Sequence, residues 1–335
     1  MSLGQVLGIT SVFLLSLIGF AILFKGFEGN VKVASQESQL IEVSLEPELE
    51  LEPVIESDNS IHAQNEEVAS VEIKNPVSKY PLDKSLEADR MIELFSTSGK
   101  KLPFIDTISY KSRVPWQKGR PAWLSDYAAH YGTSRHFIAR SLNGKPDYLK
   151  QEIAEGNKFN VFRQGYPIEF QLVIDISRCK MWFYALSGAS KEKILLKTYT
   201  VSLGRPDPSK RSGSLTPLGK YQLGNKTAIY KPEIMGHYKG QKTEMMQVFG
   251  TRWIPFEREV SETTEPAKGL GLHGLPWLRN KKGELEQNIS SLGKFESDGC
   301  IRLETHDIEE LFAIIITKPT YVELVKDISQ SELFK

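Results

Sequence analysis

Hydrophobic positions change their spacing along the chain, and each change predicts a different element. Leu7 to Phe24, "LGITSVFLLSLIGFAILF", is an apolar run without a charge, about 18 residues and so just long enough to cross a bilayer as a helix. A cleaved signal peptide is the alternative. Its apolar region normally spans about 7–15 residues after a basic start and before a small-residue cleavage site, whereas "MSLGQ" lacks Lys and Arg and "KVASQ" is a poor cleavage site. Residues 1–29 therefore read as an uncleaved membrane anchor ahead of a signal. Lys25 and Lys32 follow the run and, by the positive-inside rule, favour a cytoplasmic C-terminal side.

Between residues 30 and 80 the periodicity vanishes. "SLEPELELEPVIESDNSIHAQNEEVAS" is acidic and poor in aromatics, which predicts a self-repelling disordered linker that reaches on the order of 40 Å as a coil. Residues 81–118 regain a helical period in "LDKSLEADRMIELF", where Leu82, Leu86, Met91, Ile92, Leu94 and Phe95 can share an apolar face before "STSGKKLP" stops it. Two shorter helices are predicted within residues 119–165, the first carrying Trp123, Leu124, Tyr127, Ala128 and Tyr131, the second Phe137, Ile138 and Leu142. Gly132 ends the first, Thr133 or Ser134 can cap the second, and Asn143-Gly144 supplies a turn.

Over residues 166–335 the spacing becomes that of strands. "YPIEFQLVIDISRCKMWFYAL" and "EKILLKTYTVSLG" alternate or run apolar on either side of a turn around Ser187-Gly188. Further short strands are predicted in "GKYQLGN", "MMQVFGTRWIPF", "GLGLHG", "GCIRL" and "TYVELVKD", and one helix over His306 to Ile316. This mixture implies a mainly antiparallel β domain with a helix towards its C-terminal side, not a doubly wound α/β sheet.

Composition then narrows the chemistry. Lys and Arg total 42 and are balanced by 42 Asp and Glu, which removes the basic surface that a nucleic-acid partner needs. Cys179 and Cys300 are the only two cysteines in 335 residues, too few for a disulfide scaffold and without the paired spacing of a zinc site. By itself Cys300 fits a buried small hydrophobe, half of a disulfide with Cys179, or a nucleophile. A nucleophilic thiol needs a base, because free cysteine is mostly protonated at neutral pH. Of the six histidines, His62 lies in the linker and His130 and His136 lie in the helical stretch. His306 is placed to cap the last helix together with Thr305 and Asp307. His237 and His273 remain.

His273 ends "GLGLHG", where Gly269, Gly271 and Gly274 permit close backbone approach. Cys300 follows Gly299 and opens "CIRL", so the two residues meet if these strands pair. Arg302 projects from the same strand face as Cys300, where it can lower the thiol's pKa, bind a carboxylate or steady an oxyanion. The amides of Gly299 and Cys300 are candidates for an oxyanion hole, and Ser297 can hydrogen-bond the imidazole or the backbone. Taken singly, His273 also fits a satisfied core residue and Arg302 a surface ion pair.

Taken together these residues resemble a known signature. "GLHG" followed by "SDGCIRLETHDIEELF" is similar to the HG and S-x-G-C-[IV]-R-[ML] motifs of the L,D-transpeptidase (YkuD-type) family, and "YTVSLGRPDPSKRSGSLTPLGKYQLG" and "VIDISRCKMWFY" resemble its preceding segments. The likeness spans about residues 166–327. Asp298 stands where the commonest form of the motif has histidine, and the segment between Tyr230 and Glu265, with "KPEIMGHYKGQKTEMMQ", has no counterpart; it is expected to shape the cleft, with His237 as a contact. Upstream, "WLSDYAAHYGTSRHFIARSLNG" and "IAEGNKFNV" resemble a LysM peptidoglycan-binding module, here with a weak opening strand and an inserted "KPDYLKQE".

The resemblance implies a β-sandwich-like catalytic domain beside a small α+β LysM-like domain and a transmembrane helix. It implies a cysteine enzyme of peptidoglycan biosynthesis, cell-wall organisation and cell shape. His273 would take the proton of Cys300, with the carbonyl of Gly274 orienting the ring. The Gly299 and Cys300 amides and Arg302 would steady the oxyanion, and no cofactor or metal would be required. Peptidoglycan stem peptides would be the substrate, glycan strands a contact of the LysM-like module, and carbapenems inhibitors acylating Cys300. A stem-peptide acceptor gives a 3-3 cross-link, water a carboxypeptidase, and a lipoprotein lysine an attachment enzyme; an inactive wall-binding protein is the remaining alternative. Such a substrate would put the catalytic domain in the periplasm or cell wall, tethered to the cytoplasmic membrane, despite Lys25 and Lys32.

Overall fold

The computed structural model describes residues 87–334. The apolar run at 7–24, the acidic linker at 30–80 and the start of the first helical pattern lie outside the described residues, and no helix among those described is long and apolar enough to cross a membrane.

The chain opens with α1 (Met91–Phe95), β1 (Ile105–Ser109), α2 (Leu124–His130), α3 (Arg135–Asn143) and β2 (Lys158–Phe162). Strands β1 and β2 pair antiparallel, with Ile105 opposite Phe162 and Ser109 opposite Lys158, so a two-stranded sheet frames two helices. Ser134 caps α3 by accepting the Phe137 amide at 3.0 Å, and Gly144 closes it at φ 75°, a left-handed conformation suited to glycine. Thr133, the other possible cap, instead accepts the Phe162 amide at 2.7 Å and so joins the helices to the sheet. Leu124, Tyr127, Ile138, Phe159 and Val161 form the module's own core.

The sequence pattern fails here in two ways. Of "LDKSLEADRMIELF" only Met91–Phe95 is helical among the described residues, because Arg90 donates its amide to the Leu196 carbonyl and Asp89 bridges Lys197. Backbone committed to a neighbouring strand cannot also make helical bonds. Strand β1 went unread because an alternation of five residues with one strongly buried position, Ile105, is a weak signal.

The second part contains β3 (Ile168–Asp175), β4 (Lys180–Ser187), β5 (Glu192–Thr200), β6 (Leu203–Gly204), β7 (Gly219–Leu223), β8 (Thr227–Ala228), β9 (Met235–Tyr238), β10 (Gln241–Glu244) and α4 (Met245–Phe249). There follow β11 (Arg252–Ser261), β12 (Gly271–Gly274), β13 (Trp277–Arg279), β14 (Leu285–Gln287), β15 (Phe295–Ser297), β16 (Ile301–Leu303), α5 (Thr305–Ile315) and β17 (Thr320–Val325). A nine-stranded sheet runs in the order β16-β12-β11-β7-β17-β3-β4-β5, with β8 on β11. The domain is mainly β, its sheet curled, and Ile308, Leu311, Phe312 and Ile315 of α5 share a core with Phe170, Leu172, Ile254, Leu272 and Ile301 of the strands. On the other face Val173, Trp182 and Tyr184 pack under Ile328 and Leu333. Burial on both faces is why β3 reads as a nearly continuous apolar run.

The sheet is mainly antiparallel, as expected, with β12–β16 and β17–β3 running parallel, as does the small β15–β6 pair. Two predictions need correction. The segment "MMQVF" is α4 and not a strand, an ambiguity inherent in short apolar runs. His306 does not cap α5: Glu304 occupies the cap position, and the Thr305 amide donates to Gln287 Oε1 at 2.5 Å.

A buried ionic seam joins the two parts. Arg252, on β11, is 1% exposed at its side chain and sits 2.6 Å from Asp147, in the loop after α3. It also donates to the Thr251 carbonyl at 2.7 Å, lies 3.8 Å from Glu309 of α5, and stacks over Phe312 and Tyr230. His136 of α3 has Asp147 Oδ1 at 3.2 Å and the Tyr148 amide at 3.1 Å from Nδ1, and the Tyr230 hydroxyl at 3.1 Å from Nε2.

Candidate active site

The site grows from a four-residue turn. Ser297 ends β15 and is fully buried; its hydroxyl donates to the Cys300 carbonyl at 2.6 Å and accepts the Gly299 amide at 3.1 Å. Thr216 braces the same turn from outside, donating to the Gly299 carbonyl at 3.0 Å while accepting the Gly204 amide at 2.7 Å. Gly299 adopts φ 120°, and a Cβ there would lie 2.8 Å from the Leu215 carbonyl oxygen. Only glycine satisfies both conditions. The turn thus delivers Cys300 to the start of β16 in one orientation.

Strand pairing supplies the rest. In the parallel β12–β16 pair, His273 lies opposite Arg302 and Leu272 opposite Ile301. Side chains alternate along each strand, so His273, Arg302 and Cys300 share a face. His273 is buried, its ring edge-on to Phe249 at 5.5 Å and 6.0 Å from Trp253. Its Nδ1–H donates to the Gly274 carbonyl at 2.7 Å, which leaves Nε2 as the unprotonated, basic nitrogen. The Cys300 thiol points towards the Gly269 carbonyl at 3.7 Å and accepts from the Gly271 amide. Arg302 Nε is buried without a hydrogen-bond partner among the described residues, a donor that an incoming anion or carbonyl oxygen can meet.

Burial sets the protonation states. It pushes the Cys300 thiol up to about 11, against the Gly271 amide and the Arg302 charge, which pull it down. It pushes His273 down to about 3, helped by Arg302 and opposed by the Gly274 carbonyl. At neutral pH the two groups are therefore a thiol and a neutral imidazole, a proton donor and a proton acceptor on one face of the sheet.

The structure refines several predicted roles. Ser297 hydrogen-bonds backbone and not the imidazole. The Gly299 amide is taken by Ser297, which leaves the Cys300 amide as the backbone donor beside the thiol. Cys179 is a separate, buried free thiol, raised to about 12 by burial and by Asp175. His237 lies on the exposed side of β9, and its neighbour Tyr238 faces inward, against Phe249 at 5.8 Å and in the apolar cluster that Cys300 also borders. Asp298 binds Arg205 and the Nζ of Lys239, the latter at 2.8 Å, and these cations hold its carboxyl below the usual range, Lys239 foremost. Tyr238, Lys239, Arg205 and Thr216 were not singled out from the sequence. The available signals were the unmatched insertion, for Tyr238 and Lys239, and the segment "YTVSLGRPDPSKRSGSLTPLGKYQLG", for Arg205 and Thr216.

Residues 169–324 match the family model of the YkuD domain, the L,D-transpeptidase catalytic domain, and that stretch contains Cys300, His273, Gly274, Ser297, Gly299 and Arg302. No curated protein matches the chain. Among solved structures, the helical cell shape determining protein Pgp2 of Campylobacter jejuni is similar at 17% identity and a TM-score of 0.32, over 48% of this chain and 49% of that one. Bd1075 of Bdellovibrio bacteriovorus is similar at 14% identity and a TM-score of 0.32, over 47% and 48%. L,D-transpeptidase 1 of Mycobacterium tuberculosis is similar at 15% identity and a TM-score of 0.24, over 50% and 70%. The chain spans about half the length of the first two.

Proposed function

We propose that the chain is a thiol-dependent L,D-transpeptidase that forms 3-3 cross-links between peptidoglycan stem peptides. The observation that carries this reading is the placement of His273, Arg302 and Cys300 on one face of the β12–β16 pair, within the stretch that matches the catalytic-domain family. His273 Nε2 takes the thiol proton as Cys300 Sγ attacks the carbonyl carbon of the third residue of a donor tetrapeptide. The developing oxyanion is met by the Cys300 amide and by Arg302. Collapse breaks the C–N bond, the imidazolium returns its proton to the leaving D-alanine amine, and a thioester remains. The side-chain amine of a second stem peptide then attacks the thioester, gives its proton to His273, and expels the thiolate, which is reprotonated.

In this reading the apolar run at residues 7–24 anchors the chain in the cytoplasmic membrane, the acidic linker spans the gap to the wall, and the catalytic domain works in the periplasm or cell wall. The β1–α2–α3–β2 module acts as a LysM-like glycan contact. Its exposed Trp123, with the Arg120 guanidinium 5.5 Å over the ring, is the kind of flat apolar surface that stacks on sugars.

The test is incubation of the full chain, in detergent, with purified tetrapeptide muropeptides, read by mass spectrometry. D-alanine release with dimers is expected, abolished in Cys300→Ala and reduced at least about a hundredfold in His273→Ala. Release without dimers would make the protein a carboxypeptidase, and activity surviving Cys300→Ala would sink the thiol mechanism.

A further inference from the structure

Asp298 is a charged residue inside the nucleophile turn that the proposed reaction does not use. It lies two positions before Cys300 and binds one cation on each side. Arg205 comes from the loop after β6, where its own amide donates to the Ser297 carbonyl at 3.0 Å; it belongs to the frame of the turn. Lys239 comes from the tip of the β9–β10 hairpin, at φ 51° in the two-residue turn with Gly240. Next to it, Tyr238 packs its ring on Phe249 at 5.8 Å, in the apolar cluster that Cys300 also borders, so the hairpin tip lies on the thiol's side of that cluster.

The two ends of this hairpin are held by different means. At the root the Met245 amide donates to the Ile234 carbonyl at 2.8 Å. The Glu233 amide there donates to the buried Glu244 carboxylate at 2.8 Å. At the tip, the polar attachment to the rest of the described residues is the Lys239–Asp298 pair. Arg205, Lys239 and Asp298 are 57%, 64% and 39% exposed at their side chains. Pairs this exposed are weak and screened by salt.

We propose that Asp298 is a positioning residue: through Lys239 it clasps the tip of the β9–β10 hairpin near Cys300, with Arg205 steadying its carboxylate, and so sets how often the hairpin swings away from that side of the cleft. The proposal takes Cys300 as the reacting group from the function proposed above, but motion of the hairpin can be read whether or not Cys300 is catalytic. Loss of exposed ion pairs of this kind should raise the frequency of hairpin opening roughly 1.5- to 5-fold, a change large enough to measure and small enough for the hairpin to open during turnover.

The experiment is hydrogen exchange by mass spectrometry on the full chain at low and high ionic strength, following peptides over residues 235–244. Asp298→Asn and Lys239→Met should exchange about 1.5- to 5-fold faster than the unaltered protein at low salt. High salt should bring the unaltered protein to the same rate and leave both variants unmoved. Lys239→Arg, which keeps the charge, and Lys242→Met, an exposed lysine on the same hairpin, should match the unaltered protein. Unchanged exchange in Asp298→Asn and Lys239→Met, or a salt response that survives in Asp298→Asn, would overturn the clasp. Because the readout is exchange in the hairpin, failure of the clasp is distinguishable from failure of the transpeptidase reading.

Discussion

In two clusters among the described residues an aspartate joins separate segments through a cation, and the two sit at opposite extremes of exposure. At the seam Asp147 meets Arg252, whose side chain is 1% exposed; at the clasp Asp298 meets Lys239, 64% exposed. The chemistry is nearly the same and the consequence is not. A buried guanidinium deprived of its partner keeps an uncompensated charge away from water, whereas an exposed ammonium deprived of its partner is simply solvated. Burial turns one pair into a weld between two parts of the chain, and exposure turns the other into a fastening that can open.

Breaking the weld should have the largest effect. Asp147→Ala is expected to destabilise the protein by about 3–5 kcal/mol, lowering the thermal midpoint by on the order of 10 °C, with little relief from added salt because the site is shielded from it. A shift of less than about 2 °C would mean that Glu309, 3.8 Å from Arg252, already balances the charge.

The next effect concerns a buried group that stays neutral. His273 is held down to about 3 from 6.5, so below pH 6.5 the unfolded chain binds a proton that the folded chain refuses. Stability therefore falls as pH drops through that window, by up to about 1.4 kcal/mol per pH unit for this group. His136 is lowered chiefly by burial and acts in the same direction. Denaturant midpoints measured as pH falls from neutral should decline, and His273→Gln should decline less steeply. Parallel declines in the two proteins would contradict the buried, neutral imidazole.

The smallest effect sharpens the contrast. Asp298→Asn should cost less than about 1 kcal/mol of global stability, and that small loss should disappear at high salt. Thermal scans at two ionic strengths check it. A loss comparable to that of Asp147→Ala would make the clasp a weld as well.

How much of this could be read in the sequence depended on whether the determinant was local. Gly299 beside Cys300 and Arg302 two residues on place a thiol and a guanidinium on one strand face, because strand periodicity fixes which side chains share a face. His273 was identifiable from the glycines around it. The parallel pairing that unites them was not, since register and partner are chosen by contacts distant in sequence. Ser297 was noticed, but its hydrogen bonds to the turn depended on a φ of 120° at Gly299, which no spacing displays. Within the insertion, choosing His237 over Tyr238 was a one-residue error, and in a strand one residue is the difference between the two faces. Strand β1 and helix α4 were lost for a related reason: each is five residues long, too short for a period to declare itself.

The seam also bears on how such a protein can change by descent. Modules strung on a flexible tether can be exchanged by recombination without either partner noticing. Here a foreign segment ending before residue 165 would arrive without Asp147 and leave Arg252 facing Tyr230 and Phe312 with little counter-charge. Arg252 adjoins Trp253, which pairs directly with His273, so the mismatch would fall next to that buried imidazole. The helical module and the catalytic sheet are in that sense a single heritable unit, and a lineage that replaced one would have to rewrite position 252 at the same time.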